Sequence, residues 1–282
     1  MGTKRKAHVK RRDDRALSPL LLQDDWHRYV VKPARHFLQP ELAMLLHTVW
    51  DERLPHLFGR TGTWHGVSAY DALPYMASER IGLDRYPEAM KHALLLFEYI
   101  PGIPLDEIDY LDEVAAIELY AVYQRLFKRL QQIAARPVLH LDIKPSNILR
   151  LAAGGYAFID WAHGSLGEHD GIVPGTDGYT KQGVLSASLA RDRYALARTI
   201  ISLLQDKPAT TLRTHDVKSA LRKLPADFRA MLKEDMNVAP APTKKSTIVR
   251  DVSNGEDGPM TVIVIPWEEA KNKRNVRIQL DR

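Results

Sequence analysis

The feature that most restricts the fold is a long amphipathic helix that ends abruptly. From about Glu113 to Ala135, Leu119, Val122, Leu126, Leu130 and Ile133 recur at three- and four-residue steps and form one stripe. Pro137 stops it, because proline lacks the amide that a helix needs. Short strand-like runs follow around Ile148-Leu149 and from Tyr156 to Ile159, joined through Gly154-Gly155. A long helix feeding short strands points to an α+β chain.

Other elements fall around this centre. Leu20 to Gln23 and Trp26 to Lys32 flank Asp24-Asp25 and read as a β-hairpin. Pro40 suits the first turn of a helix that carries Leu42, Leu45, Leu46 and Val49 at helical spacing. Leu94 to Tyr99 is long enough for a buried strand and ends at the turn signal Pro101-Gly102. Ala190 to Leu204 reads as a helix, as does the stretch from about 211 to 236. No repeat is present.

Between the long helix and the last strand lies the segment with chemistry in it, Val138-Leu-His-Leu-Asp-Ile-Lys-Pro-Ser-Asn-Ile-Leu149, followed by Ile159-Asp160-Trp161. Phosphoryl transfer needs a carboxylate to orient a hydroxyl, oxygen ligands for Mg²⁺ and a cation on the transferred phosphate. Asp142, Asn147, Asp160 and Lys144 supply these types in one compact stretch. Mg²⁺ takes few protein ligands, so one carboxylate and one amide beside substrate phosphates form a workable set.

These residues resemble the eukaryotic-type protein kinase family. His140-Leu-Asp-Ile-Lys-Pro-Ser-Asn147 is similar to its catalytic loop, and Asp160-Trp161-Ala162 stands in the place of D-F-G. The resemblance implies a bilobal fold with a small β-rich N-lobe and a shortened helical C-lobe. It implies ATP and Mg²⁺ as cofactors, Asp142 as catalytic base, Lys144 on the γ-phosphate, and Asn147 and Asp160 as metal ligands. Tyr29-Val-Val-Lys32 resembles the strand with the ATP-anchoring lysine, and Glu41 the helix-borne glutamate that pairs with it. Phe97-Glu-Tyr-Ile100 resembles the hinge, so that Glu98 and Ile100 would bind adenine through their backbone. Gly175-Thr-Asp-Gly-Tyr179 is similar to the end of an activation segment. Asp192 resembles the aspartate that braces the catalytic loop.

The resulting division is a basic arm at 1–14, an N-lobe at 15–100 with an insertion near 59–92, a C-lobe at 101–237, a flexible linker at 238–259 and a strand-containing tail at 260–282. Three departures shape the expectations. No glycine occurs from Arg11 to Leu22, where the phosphate-cradling loop should lie, which leaves Arg12, Arg15 and Ser18 as substitutes. Leu141 replaces the arginine that pairs with a phosphorylated activation loop, so activity is expected without phosphate at Ser165, Thr176 or Thr180. Lys181-Gln182-Gly183 replaces A-P-E, and with it a C-lobe ion pair.

Lys144 and Thr176 point to a serine/threonine protein kinase acting on protein substrate, able to phosphorylate itself at Thr243, Ser246, Thr247 or Ser253. Two alternatives stand beside it. Glu98-Tyr-Ile-Pro-Gly-Ile-Pro-Leu105 and Ile159-Asp-Trp161 also resemble small-molecule kinases of the aminoglycoside or choline type. The missing glycine loop is compatible with an inactive pseudokinase scaffold.

The net charge of +5 owes much to Lys4, Arg5, Lys6, Lys10, Arg11 and Arg12, and to Lys271, Lys273, Arg274 and Arg277. Nothing resembles a groove-reading helix, so these basic termini allow a nucleic-acid partner by charge alone. No apolar run approaches the roughly 20 residues of a membrane span. The first residues lack a secretory apolar stretch, and the chain has no cysteine. A cytoplasmic protein without a membrane partner is the expectation.

Overall fold

The computed structural model describes residues 20–23, 28–34, 39–61, 93–181, 186–237, 247–250 and 263–266. It has the mixed α+β, two-lobed architecture expected. In the N-lobe, β1 (Leu20–Gln23) and β2 (Arg28–Pro33) form the hairpin, with Leu20 opposite Val31; the turn at 24–27 lies outside the described residues. Helix α1 (Pro40–Thr48) begins on its proline and buries Leu42, Ala43, Leu45 and Leu46. Strands β3 (Leu57–Thr61) and β4 (Leu94–Glu98) complete an antiparallel sheet in the order β1-β2-β4-β3. Leu94 to Phe97 are all buried because β4 is an inner strand, which explains its unbroken apolar run. Gly59 to Thr61, placed in the insertion by sequence, are the end of β3; residues 62–92 lie outside the described part.

The C-lobe starts with β5 (Gly102–Pro104) and α2 (Glu113–Ala134). The Asp112 side chain caps α2 by accepting from the Ala115 amide at 2.8 Å. Ala135 then takes a left-handed conformation at φ 55°, so the chain leaves the helix before Pro137. The stripe of α2 is buried from Ala116 to Leu130, whereas Ile133 is 51% exposed in the last turn. β6 (Val138–Leu139), β7 (Ile148–Leu151), β8 (Tyr156–Phe158) and β9 (Ser165–Leu166) follow. They form two small sheets, β5-β7-β8 and β6-β9.

Helices α3 (Leu189–Leu204), α4 (Thr214–Arg222) and α5 (Ala226–Asn237) close the lobe. Leu119, Leu126 and Leu130 of α2 share one core cluster with Leu196, Ile200 and Ile201 of α3. The single stretch expected near 211–236 is therefore two helices, broken at Lys223 to Pro225. Thr247–Arg250 (β10) pairs with Ile263–Pro266 (β11), so the segment expected as a linker holds a strand, and the tail strand has its partner. Thr243, Ser246 and Ser253 lie outside the described residues. No helix among the described residues is long and apolar enough to cross a membrane.

The lobes meet at Asp51, whose side chain is 1% exposed. Arg53 grips it with both Nε and a terminal nitrogen at 2.7 Å, and Arg129 of α2 adds a third contact at 2.6 Å. The Arg53 carbonyl also accepts from the Phe158 amide at 2.9 Å, tying the loop before β3 to β8. Burial opposes ionisation of Asp51, but the Arg53 hydrogen bonds and both guanidinium charges outweigh it and hold the carboxyl below its ordinary range.

A group shifted this way stabilises the fold above its unfolded pKa, and that contribution disappears as pH falls through the folded value. Asp51→Asn is expected to cost about 1–3 kcal/mol at neutral pH, with half-exposed Arg129 keeping it modest. In denaturant melts the gap to wild type should narrow below about pH 4. A gap that stays constant on acidification contradicts the ion-pair origin.

Candidate active site

The catalytic-loop segment is held from beneath by α3. Asp192, fully buried, accepts from the His140 amide at 2.6 Å and from the Leu141 amide at 2.7 Å. These bonds turn the loop over, and Leu141 adopts φ 62°, a left-handed conformation costly for a branched side chain. Burial pushes the Asp192 carboxyl up to about 7, against the two amide bonds that favour its ionised form. Burial also pushes the His140 imidazole down and favours the neutral ring. With Nδ1 accepting the long 3.4 Å contact from the Asp142 amide, Nε2 is the protonated nitrogen and donates to the Ile159 carbonyl at 2.9 Å. His140 thus joins the loop to the strand that delivers Asp160.

Above this turn, the Asp142 carboxylate accepts three hydrogen bonds and its backbone carbonyl a fourth. Thr176 Oγ1 donates to Asp142 Oδ1 at 2.7 Å. Lys144 Nζ donates to Asp142 Oδ2 at 2.7 Å and to Thr176 Oγ1 at 3.1 Å. Asn147 Nδ2 donates to both Asp142 Oδ2 and the Asp142 carbonyl at 2.9 Å. The Asn147 amide nitrogen is thereby spent inward, which turns its oxygen away from Asp142. Asp142 is 8% exposed, so its orientation is fixed by neighbours and not by water.

Asp160 approaches from β8. The Ile159 amide donates to the Asn147 carbonyl at 2.9 Å, which sets Asp160 beside the loop. Its own backbone is left-handed at φ 62°. Trp161 behind it is 1% exposed, donates from Nε1 to the Phe158 carbonyl at 2.8 Å and stacks on Phe127 at 5.5 Å. At Gly164 a Cβ would run into Leu42 of α1 and lie 2.9 Å from the Leu139 carbonyl, so glycine lets the segment pass between the lobes.

Lys32 of β2 donates to Asp160 Oδ1 at 2.5 Å. Burial works against the Asp160 charge, yet Lys32 prevails and holds the carboxyl below its usual range. The expected partner of Lys32, Glu41, makes no contact with it and is exposed on the first turn of α1. Pro40 starts the helix one residue earlier, so Glu41 lies at its outer end, where a carboxylate suits the helix dipole. Instead, Gln39 crosses to the segment after Asp160, its Oε1 accepting from the Leu166 amide at 2.8 Å.

At the hinge, Phe97 is buried between β2 and β3, opposite Val30 and Leu57. The Glu98 amide is taken by the His56 carbonyl at 2.8 Å. The Ile100 amide makes no backbone hydrogen bond among the described residues, leaving a donor where adenine is expected. Arg12, Arg15 and Ser18 lie outside the described residues.

Among the described residues, no three His, Cys, Asp or Glu side chains cluster as a metal cage. Mg²⁺ bound with nucleotide needs only one or two protein oxygens. Asp160, with Oδ1 on Lys32 and its side chain 41% exposed, and the Asn147 amide oxygen are of that kind. The donor types present therefore fit Mg²⁺ bound with a nucleotide.

A two-lobed fold whose buried loop presents Asp142, Lys144 and Asn147 next to Asp160 is that of the protein-kinase-like superfamily. Residues 86–171 match the family described as ABC1 atypical kinase-like domain, a stretch that runs from before the hinge through the catalytic loop and Asp160. The chain is similar to that family over this part. No curated protein matches the sequence.

The sequence alone did not reveal Asp51, Arg53 and Arg129, nor the role of Gln39. Arg191 and Arg198 of α3 were also missed. Arginines on a helix carry no spacing signal that names a backbone carbonyl as partner.

Removing the brace tests this construction. Asp192→Ala leaves two buried amides without an acceptor, at about 1–3 kcal/mol for each. The expected result is a lower denaturation midpoint, and a variant as stable as wild type contradicts it.

Proposed function

We propose that the chain is an ATP- and Mg²⁺-dependent protein kinase that phosphorylates serine or threonine hydroxyls. The single observation that supports this best is the triangle of Asp142, Lys144 and Thr176, closed at 2.7, 2.7 and 3.1 Å. By resemblance, a lysine two residues beyond the aspartate, steadied by a threonine of the activation segment, belongs to kinases of protein serine and threonine.

Bound Mg²⁺–ATP supplies an electrophilic γ-phosphoryl group and charge neutralisation. The remaining work falls to side chains. Asp142 orients the acceptor hydroxyl and takes up its proton, a base of fixed direction because Thr176 and Asn147 hold its two oxygens. Lys144 lies between Asp142 and the acceptor side and offsets negative charge there. Lys32 would hold the phosphates and the Ile100 amide the adenine. Trp161, buried and stacked on Phe127, backs the segment that carries Asp160. A cysteine-free chain suits the reducing cytoplasm.

Incubation with labelled ATP and Mg²⁺, against generic protein acceptors and the chain itself, tests the reading. Phosphoserine or phosphothreonine is expected. A labelled soluble metabolite with unlabelled protein would instead indicate a small-molecule kinase, and no transfer to any acceptor a binding scaffold. Asp142→Asn should reduce turnover by about 10²–10⁴-fold in a protein that still folds cooperatively. Full activity in that variant refutes the assignment.

A further inference from the structure

The segment 173–180 carries Thr176 to Asp142, yet the sequence lacks both devices by which relatives hold such a segment: Leu141 stands in place of the phosphate-pairing arginine, and Lys181-Gln182-Gly183 in place of A-P-E. Two arginines of α3 occupy this role by geometry. Arg191, 3% exposed, donates to the Val173 carbonyl at 2.8 Å, to the Pro174 carbonyl at 2.5 Å and, more weakly, to the Leu141 carbonyl at 3.4 Å. Arg198, two helical turns on and therefore on the same face, donates from Nε to the Gly178 carbonyl at 3.0 Å and from a terminal nitrogen to the Ala209 carbonyl. Thr176 lies between the two gripped points.

The segment is shaped for this contact. At Gly175 a Cβ would collide with the Thr180 hydroxyl and sit 2.8 Å from the Arg191 guanidinium. Gly178 has φ +83° and lies so close to the next turn that a Cβ would be 2.6 Å from the Thr210 amide. The adjacent residues Arg191 and Asp192 act on the same backbone, Asp192 on the Leu141 amide and Arg191 on the Leu141 carbonyl. One turn of α3 therefore fixes the catalytic loop and the extended stretch at 173–174 together. A guanidinium presents five donors in a fixed plane, whereas an ammonium presents three on a flexible stem.

We propose that Arg191 and Arg198 are positioning residues that hold segment 173–178 against Asp142 without a phosphate, so that the acceptor side of the site is assembled in the unmodified chain. The catalytic part of this proposal rests on the kinase reading above; the structural part does not.

The test uses the full chain, treated with phosphatase and shown by mass spectrometry to carry no phosphate, as wild type, Arg191→Lys and Arg198→Ala. Hydrogen exchange is followed at the Tyr179 and Thr180 amides, which donate to the Thr176 carbonyl, and at amides of α2 as an internal standard. Exchange at Tyr179 and Thr180 should accelerate about tenfold or more in both variants while α2 stays unchanged. Turnover should fall about tenfold with KM for ATP unchanged, and phosphate-free wild type should be fully active. Unchanged exchange at Tyr179 and Thr180 in either folded variant overturns the proposal, as does a wild type that needs phosphate for activity. If Arg191→Lys fails to fold, Arg198→Ala decides alone through the same amides. A wild type that transfers no phosphate at all overturns the kinase reading, while the exchange result still decides the clamp.

Discussion

Two short hydrogen bonds from one buried carboxylate carry the site. Asp192 accepts from consecutive amides, His140 and Leu141, and that pairing helps hold the left-handed turn at Leu141. Once the turn is made, Asp142 points up from the loop and His140 points across to Ile159. Asp160 then arrives beside Asn147 because the Ile159 amide binds the Asn147 carbonyl. The placement of the polar groups is thus a consequence of α3 packing on α2, and the large shared core is what keeps α3 in place.

The N-lobe joins this centre through directional polar contacts and through a hydrophobic core in which Leu42, Leu46, Leu57 and Phe97 cluster with residues of α2 and α3. Lys32 reaches Asp160, Gln39 reaches the Leu166 amide, and Asp51 collects two arginines from either side of the lobe boundary. Leu42 also packs against Gly164, where glycine removes the side chain that would keep the two apart.

Much of this was legible in the sequence, for a physical reason. The catalytic-loop positions lie within ten residues of one another, so local spacing alone fixes their order on a short loop between a helix and a strand. The hairpin, α1, β4 and α2 announced themselves by period and by proline or glycine at their ends. Glu41 makes no hydrogen bond or ion pair with Lys32 among the described residues, because α1 begins at Pro40 and leaves this carboxylate exposed on its first turn. The strand at Thr247–Arg250 was hidden by the proline, serine and charge around it, which dominate composition but not its own β-branched run. Arg191 and Arg198 bind carbonyls, which every residue possesses, so no sequence pattern could nominate their partners.

The central claim is that Lys32, Asn147 and Asp160 face one magnesium-bound nucleotide. Calorimetric titration of ATP, with and without Mg²⁺, into wild type, Lys32→Ala and Asp160→Ala tests it most directly. The account predicts Mg²⁺-dependent binding in wild type that is lost or weakened at least tenfold in both variants. Binding that is indifferent to Mg²⁺, or equal in all three proteins, would contradict it.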